Sequence, residues 1–462
     1  MSHSDSITPT SRLGCASDGS VDAGGGAALA PPAGHSTDAS PATARPVVAE
    51  ERLDVLDAVR GFALGGVLLA NLVSFAGYYV MTPAQADALS TAPVDRAVRF
   101  GIDFLIEGKF YSLFSLLFGV GFSLQQRRAR ARGAPFAPLF RRRMAVLLAI
   151  GLGHLFVLWH GDILALYGLV GLALVAFRDV GDRALVRWAA ALVWLPLVAH
   201  VAIWRSGGAL DPLPPSKAFA GWVQEAFGGG QKTLFELRSS SDAREVFVGN
   251  LVNALWRPGR YLETGRPAKV LAMFLLGAWV GRRLVVDPAL RSVPLRRVVA
   301  WGLALGLVGN GVYAAVEART GSSFSLSTLG LVQTAAYAIG VAPLALAYAA
   351  ALALVWRRER ARRWLGSFVP LGRMAITNYL GQTLLGLSLF YGYGLNLAGR
   401  VGAAWLVPLA AATLFVQARA SAAWLGRYRY GPVEWAWRQL TYGRRLPLRR
   451  AAGNAAGPGA GP

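Results

Sequence analysis

Four groups of polar residues lie inside or beside long apolar runs, where such side chains are costly and therefore candidates for function. The first occupies GLGHLFVLWHGDILALYG, which holds His154, His160, Asp162 and Tyr167. Imidazole titrates near neutral pH, so His154 suits a general base, and Asp162 is close enough in sequence to orient it. Asp162 also fits the start of the next helix, and His160 beside Trp159 fits a membrane interface. The second group opens an apolar run in LDVLDAVRG, with Asp54, Asp57 and Arg60, followed by Asn71. In a helix Asn71 falls about 16 Å beyond Arg60, near the middle of a hydrocarbon layer of about 30 Å. There it serves either a site or a helix–helix hydrogen bond, while Asp54 and Asp57 favour a helix N-terminus and Arg60 an interface.

The third group is Glu107, Lys109 and Tyr111 in EGKFYSLFSLLFG, and the lysine is one of only four in the chain. These charges either bracket a membrane edge or touch a substrate. The fourth runs from Pro370 through GRMAITNYLGQ, with Arg373, Asn378, Tyr379 and Gln382, to GPVEWAWRQLTYG. Asn378 and Gln382 are one turn apart and share a helix face that points into the bundle. Pro432 suits a first helical turn, Glu434 and Arg438 have ion-pair spacing, and Trp435 and Trp437 suit an interfacial helix. His200, in an apolar run after Pro196, reads as structural. There is no HExxH pattern, P-loop or GxSxG elbow, so neither a metal site nor a tightly bound cofactor is expected.

The elements that must position these groups are transmembrane helices. The chain has 462 residues, 54% hydrophobic and only 16% charged, against about 25% charged in soluble domains. Apolar spans fall near 61–82, 103–124, 144–161, 163–178, 186–204, 269–286, 298–317, 327–356, 372–393 and 401–419. The fold class is thus all-α, a polytopic bundle of about ten spans. The net charge of +22 sits in short arginine clusters between spans, at 127–143, 178–187, 282–297 and 357–363 and after the last span. With the N-terminus inside, each cluster is cytoplasmic, so both termini are expected in the cytoplasm of a multi-pass protein of the cell membrane. No continuous basic face with stacking aromatics exists, which excludes nucleic acid as a partner and leaves the lipid bilayer.

Residues 1–50, rich in Ser, Ala, Gly and Pro, read as a disordered tail; no signal peptide is visible there, and Cys15 is the only cysteine. A five-helix membrane region follows at 51–204, then an extracytoplasmic loop at 205–268. In that loop Phe247, Val248, Leu251, Val252 and Leu255 mark one face of an amphipathic helix, with Glu245, Asn250 and Asn253 on others. It is either an interfacial helix or a lid. A second membrane region spans 269–443 and a basic tail 444–462. Gly61 with Gly65, and Gly302 with Gly306, suit close helix packing. Oligomeric state leaves no signal.

The motifs RLDVLDAVRGFALGGVLLANL, KFYSLFSLLFGVGFSLQ, GLGHLFVLWHGDILALYG, PLGRMAITNYLGQ and YGPVEWAWRQLTYG together resemble the YeiB-like membrane proteins of unknown function. The likeness covers about 51–443, and 269–443 resembles that family's C-terminal domain of unknown function. More distantly, Asp57, Arg60–Gly61 and Asn71 are similar to the start of heparan-α-glucosaminide N-acetyltransferase and other membrane acyltransferases. That enzyme's catalytic histidine follows the Asn closely, whereas 73–100 here contains none, and His154 takes its place from another helix. The resemblance implies an acyltransferase that uses a cytoplasmic thioester, acyl-CoA, as co-substrate and an acceptor at the outer face. His154 is then the base, Asp162 its orienter and Asn71 an oxyanion donor. Arg60, Asp57, Glu107, Lys109, Arg373, Asn378 and Gln382 contact donor or substrate. The alternative is a transporter or exporter of a small or lipid-like substrate, with the same groups lining its path.

Overall fold

A computed structural model describes residues 53–287 and 292–450, so the tails expected at 1–50 and beyond 450 lie outside the described residues. Within them the regular structure is helical, apart from one isolated bridge between Tyr428 and Arg449. In chain order the helices are α1 (Asp54–Phe75), α2 (Pro83–Asp87), α3 (Ala92–Leu105), α4 (Lys109–Ala131), α5 (Phe136–Gly153) and α6 (Leu164–Leu174). A π-helical turn, His154–Leu158, follows α5. Next come α7 (Asp182–Arg205), α8 (Leu213–Ala226), α9 (Leu234–Ser239), α10 (Ala243–Glu263), α11 (Arg266–Val286) and α12 (Leu295–Thr320). The last are α13 (Thr328–Trp356), α14 (Glu359–Gly366), α15 (Val369–Arg373), α16 (Ala375–Phe390), α17 (Ala403–Arg427) and α18 (Pro432–Tyr442).

A helix underlies each of the ten expected spans, and among the described residues six stretches are long and apolar enough to cross a membrane. These are α1, Ala92–Ala131 (α3 and α4 with the break at 106–108), α7, α12, α13 and α17. The other four have visible reasons for falling short. The helix of α5 gives way at His154, α6 has 11 residues, and α16 has 16 and starts only after the non-helical Met374. Charges interrupt α11 at Arg266, Lys269, Arg282 and Arg283.

The connecting loops gather at two ends of the bundle. At one end Gln126 donates to the Arg178 carbonyl at 2.9 Å, Arg130 pairs with Asp179 at 2.6 Å, and Arg282 donates to Val180 at 2.6 Å. Trp437 adds a bond to the Arg143 carbonyl. These are the arginine-rich loops. At the other end Arg238 donates to the Ser74 carbonyl at 2.6 Å and accepts at its own carbonyl from Gly392 N–H at 2.9 Å. Gly399 N–H donates to Ala76 there, and His200 Nε2 to Ser325. Alternation of basic and non-basic loops along the chain has thus become separation in space. The basic stretch is also ordered past 443: Arg429 N–H donates to the Leu448 carbonyl, and Arg450 N–H to that of Arg427.

Close helix packing rests on missing side chains. A methyl group added at Gly119 would collide with the Phe274 carbonyl, and one at Gly277 with the Leu116 carbonyl, so α4 and α11 meet backbone to backbone. Gly61 and Gly372 do the same for α1 and α15. Such contacts replace the hydrophobic effect, which does not act between helices in lipid. Gly277→Ala should lower the melting temperature in detergent by several degrees. Gly101→Ala, which meets open space in mid-α3, should leave it unchanged or raise it slightly, because alanine favours helix by about 1 kcal/mol. Equal melting temperatures for both variants would contradict the backbone-contact reading.

Candidate functional site

Two α1–α4 stripes at helical spacing build the wall of a central cavity of about 370 Å3. From α1 come Asp57, Arg60, Leu64, Val67 and Asn71; from α4 come Tyr111, Phe114, Phe118, Gly121 and Gln125, with Arg128 beyond. The helices are antiparallel, since the C-terminal end of α1 lies with the non-basic loops, where Arg238 bonds Ser74, and that of α4 with the basic ones, where Gln126 bonds Arg178. At 1.5 Å per residue the α4 stripe from Tyr111 to Arg128 runs about 26 Å, close to a hydrocarbon thickness.

The two ends of the cavity differ in character. Arg60, Arg128, Arg143, Arg373 and Arg438 line the end near the basic loops, with Asp57 paired to Arg60. Arg143 stacks over the Trp437 ring at 4.0 Å. The middle is apolar and aromatic. At the far end stand Glu107, Tyr111, Tyr167, Arg257 and Arg266, and Arg266 lies 3.6 Å from Glu107 and over the Tyr111 ring. Glu434, read in sequence as the partner of Arg438, caps α16. Its carboxylate accepts from Ile376 N–H at 2.7 Å, Thr377 N–H at 3.1 Å and the Thr377 hydroxyl at 2.6 Å. A carboxylate at a helix N-terminus satisfies otherwise orphaned amides and complements the dipole. Arg438 donates to the Glu434 carbonyl and covers the Tyr430 ring.

Just beyond the wall formed by Gly161, Ile163 and Tyr379 lies the His154–Asp162 pair. His154 Nδ1 is 3.0 Å from Asp162 Oδ1, and both side chains are 1% exposed. An ionised Asp162 only accepts, so Nδ1 carries the proton and Nε2 is left to accept from the Thr383 hydroxyl 2.9 Å away. The other carboxylate oxygen, Oδ2, accepts from Ala165 N–H at 2.6 Å, so Asp162 also caps α6. The Tyr379 ring is 5.2 Å from the imidazole and separates it from the cavity.

This pair exists because α5 breaks. The π turn closes with Trp159 N–H on the His154 carbonyl at 2.7 Å, and Trp159 stacks on Phe75. The break frees backbone groups, which one side chain on α10 satisfies. Asn250 Nδ2 donates to the Leu155 and Phe156 carbonyls at 3.2 and 3.1 Å, and Oδ1 accepts from His160 N–H at 2.6 Å. Two and three turns later on α10, Arg257 Nη2 and the Tyr261 hydroxyl both donate to the Asp162 carbonyl, at 3.1 and 2.8 Å. The helix expected in the outer loop is therefore present, but its Asn250 face is turned to the hairpin rather than to water. Val248 and Val252 pack with Ala220 of α8.

The expected site residues thus divide. Asp57, Arg60, Asn71, Glu107 and Arg373 line the cavity, and His154 with Asp162 form a bonded pair behind it. Lys109 is fully buried at the start of α4, with Nζ donating to the Asp103 carbonyl at 2.6 Å. Asn378 and Gln382 tie α16 to α17: Asn378 donates to Ser421 and Gln382 to Gln417, at 3.0 and 2.9 Å. Among the described residues no group of His, Cys, Asp and Glu is arranged to hold a metal. Thr383, Asn250, Arg257 and Arg266 were not singled out in the sequence. The spacing of Asn250, Arg257 and Tyr261 on one α10 face could have pointed to the α10 pair, and nothing local pointed to Thr383 or Arg266.

Asn250→Ala would leave two carbonyls and one amide unpaired in a buried place, at about 1–3 kcal/mol for each group that water cannot reach. It should lower the detergent melting temperature by more than Asn253→Ala, whose side chain bonds only its own helix at Gly249. The reverse order would show that α10 does not brace the hairpin.

Residues 279–444 match the family described as "Protein of unknown function (DUF418)", within ten residues of the start of the C-terminal region read from sequence. The chain is 32% identical to uncharacterized protein YxaH of Bacillus subtilis (strain 168) over 416 residues, 86% of this chain and 96% of the relative. It is 30% identical to uncharacterized protein YeiB of Escherichia coli (strain K12) over 419 residues, 88% of this chain and 98% of the relative. A 39.9 kDa Bacillus acidopullulyticus protein from the amylase 3' region is 29% identical over 415 residues, 87% of this chain and 97% of the relative. With such identity over nearly the full length of both chains, this protein belongs to the YeiB-like family of unknown function.

Proposed function

We propose that the chain crosses the cell membrane ten times with both ends in the cytoplasm. In this reading it transfers an acyl group from a cytoplasmic thioester to a hydroxyl acceptor at the outer face. The observation that carries the reading is the cavity. Its arginine end suits the phosphates of acyl-CoA, its apolar middle an acyl chain, and its far end a polar acceptor.

Arg60, Arg143 and Arg373 hold the donor's phosphates. Asn71, about 16 Å further along α1, donates to the thioester carbonyl oxygen as charge develops there. His154 takes the acceptor's proton while the acceptor oxygen bonds to the carbonyl carbon; collapse breaks the C–S bond, and the leaving thiolate receives that proton. Asp162 fixes the imidazole tautomer. For this to happen the Tyr379 ring must leave the wall, exchanging the Thr383 hydroxyl on Nε2 for that of the acceptor. Asn378 and Gln382 support this by fixing the helix that carries Tyr379. The transporter reading draws on the same cavity, since its length and its charges at both ends also suit a path for a lipid-like substrate.

Acyl transfer in detergent, where no gradient exists, separates the two. Purified protein given labelled acyl-CoA and a membrane lipid and glycan extract should move label to an acceptor. His154→Gln should slow transfer roughly 100-fold or more without changing the melting temperature, as loss of a general base does. Asn71→Ala should lower kcat on the same scale, and Arg60→Gln should chiefly raise KM for the donor. Neither binding nor transfer by the unaltered protein would sink the enzyme reading. A His154→Gln variant that loses stability and activity in proportion would make the pair structural.

A further inference from the structure

Away from the central cavity, a groove of about 740 Å3 opens at the basic end between the start of α12 and the end of α13. Its rim carries four arginines: Arg296 and Arg297 from α12, and Arg357 and Arg358 from the turn after α13. All four are exposed. Among the described residues Arg296, Arg297 and Arg358 make no ion pair, and the neighbouring acid, Glu359, is paired with Arg363 at 3.0 Å. The wall below the rim is apolar, formed by Val299 of α12 and by Ala351, Leu354 and Val355 of α13. Positions 351, 354 and 355 share one face of α13, and the turn that follows the helix adds Arg357 and Arg358 to the same groove, which therefore passes from apolar to cationic.

None of these residues lines the central cavity, and the transfer proposed above gives them no task. Four cations converging on a rim call for a ligand with phosphate oxygens, for which the guanidinium fork is well shaped. A free phosphate would leave the apolar wall in water, while the ammonium of a zwitterionic headgroup would lie among four like charges. We infer that this groove binds an anionic phospholipid of the surrounding bilayer. The phosphate sits on the Arg296–Arg297 and Arg357–Arg358 pairs, with an acyl chain along Val299, Leu354 and Val355. The inference rests on the membrane-spanning reading but not on acyl transfer. Its test in detergent reads lipid retention, which is independent of the orientation and activity experiments.

Delipidated protein is offered equal amounts of phosphatidylglycerol and phosphatidylcholine and examined by native mass spectrometry. The unaltered protein should retain phosphatidylglycerol over phosphatidylcholine by roughly tenfold or more. Changing all four rim arginines to Gln should abolish that preference, while the four-Lys version keeps most of it. Arg127→Gln with Arg132→Gln, in a different basic loop, should change nothing. Should the four-Gln variant fail to fold, Val299→Trp fills the apolar wall with the charges intact, and it too should lower retention roughly tenfold. Equal retention of the two lipids would overturn the assignment. So would undiminished phosphatidylglycerol binding by a folded four-Gln variant or by Val299→Trp. Binding of glycerol 3-phosphate as tight as that of phosphatidylglycerol would likewise replace the lipid with a soluble anion.

Discussion

Backbone amides and carbonyls in apolar surroundings must find partners within the protein, and the structure turns on one place where a helix gives that up. At His154 the α-helical ladder of α5 opens into a π turn and then a loop before α6 resumes. In water such a break would be satisfied by solvent; here Asn250 bonds Leu155, Phe156 and His160, and Arg257 with Tyr261 hold the Asp162 carbonyl. The break curls the chain so that a carboxylate eight residues after the histidine meets its ring. Without the brace from α10, the hairpin would have to re-form its helix or expose polar backbone to an apolar environment.

The same requirement accounts for the rest of the polar interior. Asp95 of α3 reaches Ala404 N–H at 2.8 Å and, with Tyr78, caps α17; Glu434 of α18 caps α16. The starts of α16 and α17 thus borrow caps from neighbours distant in sequence. Two residues of the cavity wall stand apart from these structural duties. Arg60 is tied only to Asp57 one turn earlier, and Asn71 makes no hydrogen bond among the described residues. An uncommitted amide on an enclosed wall is a stronger pointer to a ligand than a buried pair whose bonds are complete. For that reason the cavity, and not the histidine alone, carries the functional proposal.

Much of this was legible in the sequence because it is local. The apolar spans follow from runs of residues, and the helices found beneath them differ mainly in where breaks shorten them. His154 and Asp162 could be paired from sequence because a turn separates them by only eight positions. Thr383, the other partner of the imidazole, lies 229 positions away and left no local trace. Asn250 gave no site signal for a physical reason: polar residues on a helix in an outer loop ordinarily face water, and here Asn250 faces a broken helix. Lys109 was read either as a membrane-edge charge or as a substrate contact, and the partner the structure gives it is the Asp103 carbonyl near the end of α3. The arginines at the cavity's basic end come from α1, α4, α5, α15 and α18; Arg60 and Arg373 were candidates in sequence, whereas Arg128 and Arg143 were read as part of a loop cluster and Arg438 as the partner of Glu434.

The central claim is that the cavity's arginine end faces the cytoplasm and its Glu107–Arg266 end faces outward. Two exposed positions report on those ends: Ala131 closes α4 beside the basic loops, and Ser241 precedes α10. With Cys15 replaced, no native thiol competes. A membrane-impermeant thiol reagent applied to intact cells should label Ser241→Cys at once and Ala131→Cys only after the membrane is opened. Labelling of Ala131→Cys from outside, with Ser241→Cys protected, would invert the orientation and remove the cytoplasmic donor from the account.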